Sequence, residues 1–293
     1  MRCLTPTHAD HRISLAVDAR DVIDSVLSSS VITTSLHDWI NVVLQHRDQL
    51  LECRIDSLEH RKNQNGVKHE YVDLTLQCTG RSGMRYSRHI RIDRSFQRNS
   101  IDVQSHYRTL LRGGGLPADD TVIIAPTPYH TASFSLYAAY FHGAQRPTLL
   151  DLVAVLQAVS SLAPSYHLYT MCYWHAYMVF RGLAQRFDGR IEKGYKPVMR
   201  GVYKWPIRVI EKDDRLVLTG LRLLPWSCNF LELPTFSEVL GCIEAMRTEL
   251  SQEEQQEVIT EHPIEVRTFM TLQSKSMNLL FSSLGYFTSF QQI

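Results

Sequence analysis

Hydrophobic and polar residues alternate in three consecutive stretches of the first half of the chain. The stretches are residues 50–58, 69–78 and 86–96, and turn-forming sequences lie between them at residues 62–66 and 81–83. Alternation with a period of two is typical of strands, and a glycine-containing turn between two such runs is typical of a hairpin. The pattern therefore predicts a meander of three antiparallel strands.

Apolar residues recur at helical spacing elsewhere in the chain. The segments concerned are residues 14–27, 36–46, 148–162, 172–183 and 236–257. Ser35 is a suitable N-cap for the second of these helices, and Asp38 falls in its first turn. A chain in which strands and helices occupy separate stretches predicts an α+β fold, with an antiparallel sheet flanked by helices.

The same pattern divides the chain into three parts. Residues 1–12 are polar and predict a flexible tail, residues 13–190 predict the α+β domain, and residues 191–293 predict a C-terminal α/β extension packed on it. Within the domain, GGGLPADD at residues 113–120 is expected to be a flexible linker. It does not predict a phosphate-binding loop, because no Lys-Ser or Lys-Thr pair follows its glycines.

Composition narrows the classes of function. The chain has 31 basic and 30 acidic residues, so nucleic-acid binding is not expected. Its six cysteines include no CxxC pair, so neither a disulfide framework nor a structural zinc site is predicted, and no cofactor is indicated. We find no signal peptide and no apolar run long enough to span a membrane, and we expect a cytoplasmic protein.

Cys172 is the candidate nucleophile. It stands where a polar, aromatic stretch becomes an apolar helical run, which places it in the first turn of a helix. Unpaired backbone N–H groups at a helix start favour a thiolate over a thiol. The alternative is a buried thiol that only packs, as free cysteines commonly do.

His69 is the candidate base. It opens the second alternating stretch directly after a turn, where its side chain can face the start of a helix. His89 and Asp93 lie four residues apart on the third stretch and share one face, so either could orient His69. The alternative is that both histidines lie at the surface and that Asp93 pairs with Arg91 or Arg94.

Two other arrangements compete with this pair. His130 also precedes an apolar run and could serve as the base, although its short distance along the chain to Cys172 fits a permuted fold less well. A metal site could combine Cys172 and His175, which share a helix face, with His130 and His142. No second chelating pair is evident, so no metal is predicted.

Three motifs carry a resemblance that covers roughly residues 50–185. HEYVDLTL, HIRIDR and SYHLYTMCYWHA resemble uncharacterised fungal proteins, chiefly from mushrooms, that are similar to the permuted papain-like fold of lecithin retinol acyltransferase relatives. In that fold the histidine strand precedes the cysteine helix. The matching residues are His69, Glu70, Arg91, Ile92, Asp93, Arg94, Cys172, Tyr173, Trp174 and Ala176.

The resemblance implies a cysteine-dependent hydrolase or acyltransferase that acts on an acyl or amide carbonyl of a small molecule or peptide. Cys172 would attack, His69 would act as general base and then acid, and Asp93 or His89 would orient His69. Met171 and His175 stand where the fungal proteins have asparagine and an aromatic residue. Met171 motivates the alternative of a non-catalytic binding or scaffold protein that keeps the fold.

Overall fold

A computed structural model describes the chain at residues 30–64, 69–79, 85–96, 116–129, 132–143, 145–166, 172–204, 207–208 and 234–259. Its contacts divide the chain into two compact units, Met1–Arg247 and Thr248–Ile293. The predicted tail and the predicted helix over residues 14–27 lie outside the described residues. Among the residues that are described, no helix is both long and apolar enough to cross a membrane.

The described strands are β1 (Ile32–Ser35), β2 (Arg54–Asn63), β3 (Glu70–Thr79), β4 (Arg85–Phe96), β5 (Leu116–Ala125), β6 (Ser133–Tyr140), β7 (Ser165–Tyr166), β8 (Arg190–Lys193), β9 (Val202–Lys204) and β10 (Ile207–Arg208). The first unit is built on an antiparallel sheet in which seven of them have the order β1-β5-β4-β3-β2-β6-β8. The two-residue strand β7 also pairs with β5, and β9 pairs with β10 in a separate hairpin.

The helices are α1 (Leu36–Gln45), α2 (Arg47–Leu50), α3 (Leu149–Leu162), α4 (Cys172–Arg186) and α5 (Phe236–Ile259), with a 3₁₀ turn at Pro197–Met199. The predicted α+β class is confirmed, and so is the meander, since β2 pairs with β3 and β3 with β4. The first strand of the meander, β2, starts at Arg54 rather than at residue 50. Residues 47–50 form α2 instead, and Leu50 is buried in the hydrophobic core.

Local sequence signals account for two helix starts. The Ser35 hydroxyl accepts a 3.0 Å hydrogen bond from the Asp38 amide, as its N-cap position predicts. Thr148 and Asp151 form a reciprocal capping box at the start of α3. These contacts satisfy amide groups that have no partner within the helix.

The predicted linker over residues 113–120 is wrong for its second half. Residues 116–120 belong to β5, where Asp120 lies opposite Arg94 of β4 and Asp119 opposite Ser95. Arg94 donates from Nε and Nη2 to both carboxylate oxygens of Asp120, at 2.8 and 2.7 Å. The polar residues 116–120 form part of a strand because the Asp120 carboxylate is paired with Arg94 on the neighbouring strand.

The core positions the cysteine helix over the histidine strand. Helix α4 packs against α3 on one side and against β2, β3 and β4 on the other. The strands contribute fully buried apolar residues such as Leu74 and Ile90, and α4 contributes Val179 and Leu183. The start of α4 therefore lies over the start of β3.

The described residues just after position 190 continue the main sheet, since β8 pairs with β6. The first part of α5 also packs on the core, through the buried side chains of Val239 and Ile243. The C-terminal extension over residues 191–293 stays a prediction, because residues 209–233 and 260–293 lie outside the described part of the chain.

Candidate functional site

His69 and Asp93 come from neighbouring strands. His69 immediately precedes β3, and Asp93 lies in β4, one residue after Ile92, which is opposite Val72 of β3. This register brings His69 Nε2 to 2.7 Å from Asp93 Oδ1. Both side chains keep limited contact with solvent, at 21% and 14% exposure.

Cys172 reaches the same place from the helical layer. It is the first residue of α4 and is buried, with 2% exposure. Its side chain lies close enough to the ring of His69 to raise the pKa of that ring. The structure thus brings together three sequence-predicted residues, Cys172, His69 and Asp93, in one connected row.

The electrostatics of the row favour a charged imidazole. Burial alone would lower the pKa of His69, but its electrostatic interaction with Cys172 and its hydrogen bond to Asp93 raise it to about 10. Burial would raise the pKa of Asp93, but the hydrogen bond and charge of His69, together with Arg91, hold it below its ordinary value. At neutral pH, His69 is therefore an imidazolium paired with the ionised Asp93 carboxylate.

His89 does not join this row. It lies opposite Thr75, whose hydroxyl is 3.4 Å from His89 Nδ1. Thr75 is six residues beyond His69, a separation of about 20 Å along an extended strand. Of the two residues considered for orienting His69, the structure places Asp93 there.

Arg91 contacts the other oxygen of the Asp93 carboxylate. Arg91 Nε donates to Asp93 Oδ2 at 2.7 Å. From the sequence, pairing with Arg91 and orientation of His69 were alternatives for Asp93. The carboxylate does both because it offers one oxygen to each partner.

A second polar cluster, which sequence reasoning missed, lies buried beside the row. Lys62 of β2 donates to Glu70 Oε1 at 2.6 Å, and His60 Nε2 lies 2.8 Å from Glu70 Oε2. The side chains of all three residues are completely buried. The sequence predicts Lys62 in a turn, whereas the pairing of β2 with β3 places it in β2, opposite Glu70.

This cluster connects the residues that follow His69 and Cys172. Glu70 accepts a 2.8 Å hydrogen bond from the Gly201 amide, and Lys62 Nζ lies 4.7 Å from the centre of the Tyr173 ring. Burial would raise the pKa of Glu70, but the charge of Lys62 and the hydrogen bond with His60 lower it to about 2. The Glu70 carboxylate is therefore ionised throughout the neutral range.

His175, one turn after Cys172, takes no part in the row. Its ring is buried, and Nε2 lies 4.0 Å from Asp120 Oδ2. Burial and the positive charge of Arg94 lower the pKa of His175 to about 3, against the attraction of Asp120. The ring of His175 is therefore neutral at neutral pH, unlike that of His69.

The structure describes only some of the residues in the alternative base and metal sites considered from the sequence. His130 and Met171 lie outside the described residues, whereas His142 is described and exposed. In the described ranges, no three histidine, cysteine or acidic side chains are arranged to hold a metal ion.

Comparisons of this chain with protein-family models, curated proteins and solved structures gave no match. The resemblance to fungal proteins and to lecithin retinol acyltransferase relatives therefore stays a prediction.

Proposed function

We propose that this protein is a cysteine-dependent hydrolase or acyltransferase with a permuted papain-like fold. One observation carries the proposal: the ring of His69 is hydrogen-bonded to Asp93 and is close enough to Cys172 for that residue to raise its pKa. A cysteine nucleophile requires a proton acceptor within hydrogen-bonding reach and a group that orients that acceptor. The strand-borne histidine also precedes the helix-borne cysteine in the chain, as a permuted papain-like order requires.

The first half-reaction is acylation of Cys172. The thiolate attacks the carbonyl carbon, and the carbonyl electrons move to the oxygen, giving a tetrahedral oxyanion. The backbone N–H of Cys172, at the start of α4, is the natural donor to that oxyanion. The His69 imidazolium then protonates the leaving amine or alcohol as its bond to carbon breaks, which leaves a thioester on Cys172.

The second half-reaction regenerates the thiolate. Neutral His69 accepts a proton from the incoming water, amine or alcohol, which attacks the thioester carbonyl. Collapse of the second tetrahedral intermediate releases the acylated product and the Cys172 thiolate beside a protonated His69. Water as acceptor makes the protein a hydrolase, and another nucleophile makes it an acyltransferase.

The test is covalent labelling with a panel of acyl electrophiles, including peptide, lipid-ester and small aryl-ester reagents. We expect label on the Cys172 peptide of the parent and none on Cys172→Ala. Cys53 and Cys78 are built-in controls, because both are buried thiols that contact each other away from His69. Equal labelling of all three cysteines would contradict the proposal.

The second candidate is a non-catalytic binding or scaffold protein, and the burial of Cys172 favours it. A folded protein whose Cys172 resists every electrophile at neutral pH would support this candidate. A cytoplasmic location and an acyl-bearing small molecule or peptide as substrate belong to the catalytic proposal.

A further inference from the structure

We infer that Arg91 is a positioning residue: its guanidinium group holds the Asp93 carboxylate in the orientation that accepts the hydrogen bond from His69. The effect of this positioning on catalysis rests on the function proposed above. The contact itself can be tested without any substrate.

The two oxygens of the Asp93 carboxylate contact two different partners. Asp93 Oδ1 lies 2.7 Å from His69 Nε2, and Asp93 Oδ2 accepts from Arg91 Nε at 2.7 Å. The terminal torsion of an aspartate is soft, so one hydrogen bond leaves the carboxylate plane free to turn. A second, charge-assisted bond from the opposite side fixes that plane.

Arg91 is itself held in place. Its guanidinium carbon lies 3.8 Å from the centre of the Tyr71 ring, within cation–π range. Tyr71 is completely buried, and its hydroxyl donates to Ser133 Oγ at 2.8 Å. The same ring stacks beside His69, with centroids 6.4 Å apart and planes inclined by 22°. Arg91, Tyr71 and His69 therefore form one packed group.

Other charged groups surround this contact. Asp73 lies directly opposite Arg91 on β3, and Glu59 and Arg61 of β2 also act on Asp73. The charge of Asp93 acts on the ring of His175 in α4, but burial and Arg94 lower the pKa of that ring and keep it neutral. The described contacts to the Asp93 oxygens are those of His69 and Arg91, so Arg91 is the residue to change.

The sign of the response separates positioning from a simple charge effect. A cation near an imidazolium lowers the pKa of that imidazolium, so removing only the charge of Arg91 would raise the pKa of His69. Loss of the oriented Asp93 hydrogen bond would lower it. Arg91→Met removes both the charge and the Nε donor while keeping a long apolar stem.

The experiment is an NMR titration of the His69 ring in the full chain, with the His69 signal assigned by its absence in His69→Gln. In Arg91→Met we expect the titration midpoint to fall by at least about one pH unit from the parent value. Arg91→Lys retains a cation and a donor within reach of Asp93, and it should recover part of the loss. Circular dichroism checks that each variant is folded.

Arg94→Lys is the matched control. Arg94 lies on the same strand and forms the same kind of buried ion pair, but with Asp120. Its substitution should leave the His69 midpoint unchanged. An unchanged or raised midpoint in Arg91→Met would overturn the inference. If Arg91→Met lowers the midpoint while the parent Cys172 resists all acyl electrophiles, the positioning role stands and the proposed function fails.

Discussion

At the scale of single residues, the site depends on how charge is distributed around His69. Interactions with Cys172 and Asp93 outweigh the burial of the ring and raise its pKa to about 10. Under the proposed function, an imidazolium of this kind supplies the proton that the leaving group needs. Both residue-scale predictions follow from this arrangement.

The first prediction concerns the base. His69→Gln should slow alkylation of Cys172 by iodoacetamide at pH 7 by at least about tenfold, because the thiolate loses its cationic partner. His89→Gln is the matched control and should leave the rate unchanged, since His89 lies beside Thr75. Peptide mass spectrometry measures both rates. A similar loss in both variants would argue against a specific His69–Cys172 pair.

The second prediction concerns pH. Iodoacetate is anionic, so the protonated ring of His69 should attract it, and its reaction with Cys172 should slow as pH rises through about 10. In Asp93→Asn the hydrogen bond and charge that raise the pKa of His69 are gone, so this decline should begin at lower pH. The rate is measured from pH 6 to about 10.5 in parent and variant. A decline at the same pH in both would show that Asp93 does not act on His69.

At the scale of elements, buried polar contacts join β2, β3 and helix α4 beside the site. The Lys62–Glu70 ion pair links β2 to the start of β3 with no exposed side-chain surface. Removing one partner of such a pair leaves a buried charge, whereas replacing both with apolar residues is often neutral. Replacing one partner of this ion pair should therefore destabilise the fold more than replacing both, a difference that an exposed ion pair would not show.

We expect Glu70→Leu alone to lower the free energy of unfolding by about 3–5 kcal/mol, because it leaves Lys62 charged and buried. Glu70→Leu combined with Lys62→Met should recover much of that loss. Urea unfolding of the parent, the single variant and the double variant measures the difference. Additive losses in the double variant would mean that the two side chains do not depend on each other.

At the scale of the whole molecule, buried ionisable groups set the response to acid. The neutral ring of His175 has a pKa of about 3 in the folded chain, below its ordinary value near 6.5. The unfolded chain therefore binds a proton at this residue at higher pH than the folded chain does. Its contribution to stability is full above pH 6.5 and is lost as pH falls through about 3.

The ionised Glu70 carboxylate acts in the same direction at lower pH. Its folded pKa of about 2 lies below its ordinary value of 4.5, so its stabilisation is full above pH 4.5 and is lost as pH falls through about 2. We therefore expect stability to decrease from about pH 6.5 downward. His175→Gln should make the free energy of unfolding less dependent on pH between 6.5 and 4.5. An equal dependence in parent and variant would contradict a buried, neutral His175.

The sequence by itself determined the elements whose signals are local. Alternation predicted β3 and β4, Ser35 marked the start of α1, and the step from polar to apolar residues marked the helix that begins at Cys172. These features depend on backbone preferences and on periodicity within a few residues. The sequence also nominated Cys172, His69 and Asp93, since each residue type suits its chemical role.

Only the tertiary structure decided which of the candidates meet. His89 and Asp93 share a strand face, and the register of β3 with β4 places Asp93, not His89, beside His69. The cross-strand ion pair with Arg94 likewise explains why Asp120 lies in a strand rather than a linker. These outcomes depend on contacts between residues far apart in the chain, which no local pattern encodes. The same long-range pairing brings together Arg91, Tyr71 and Asp93.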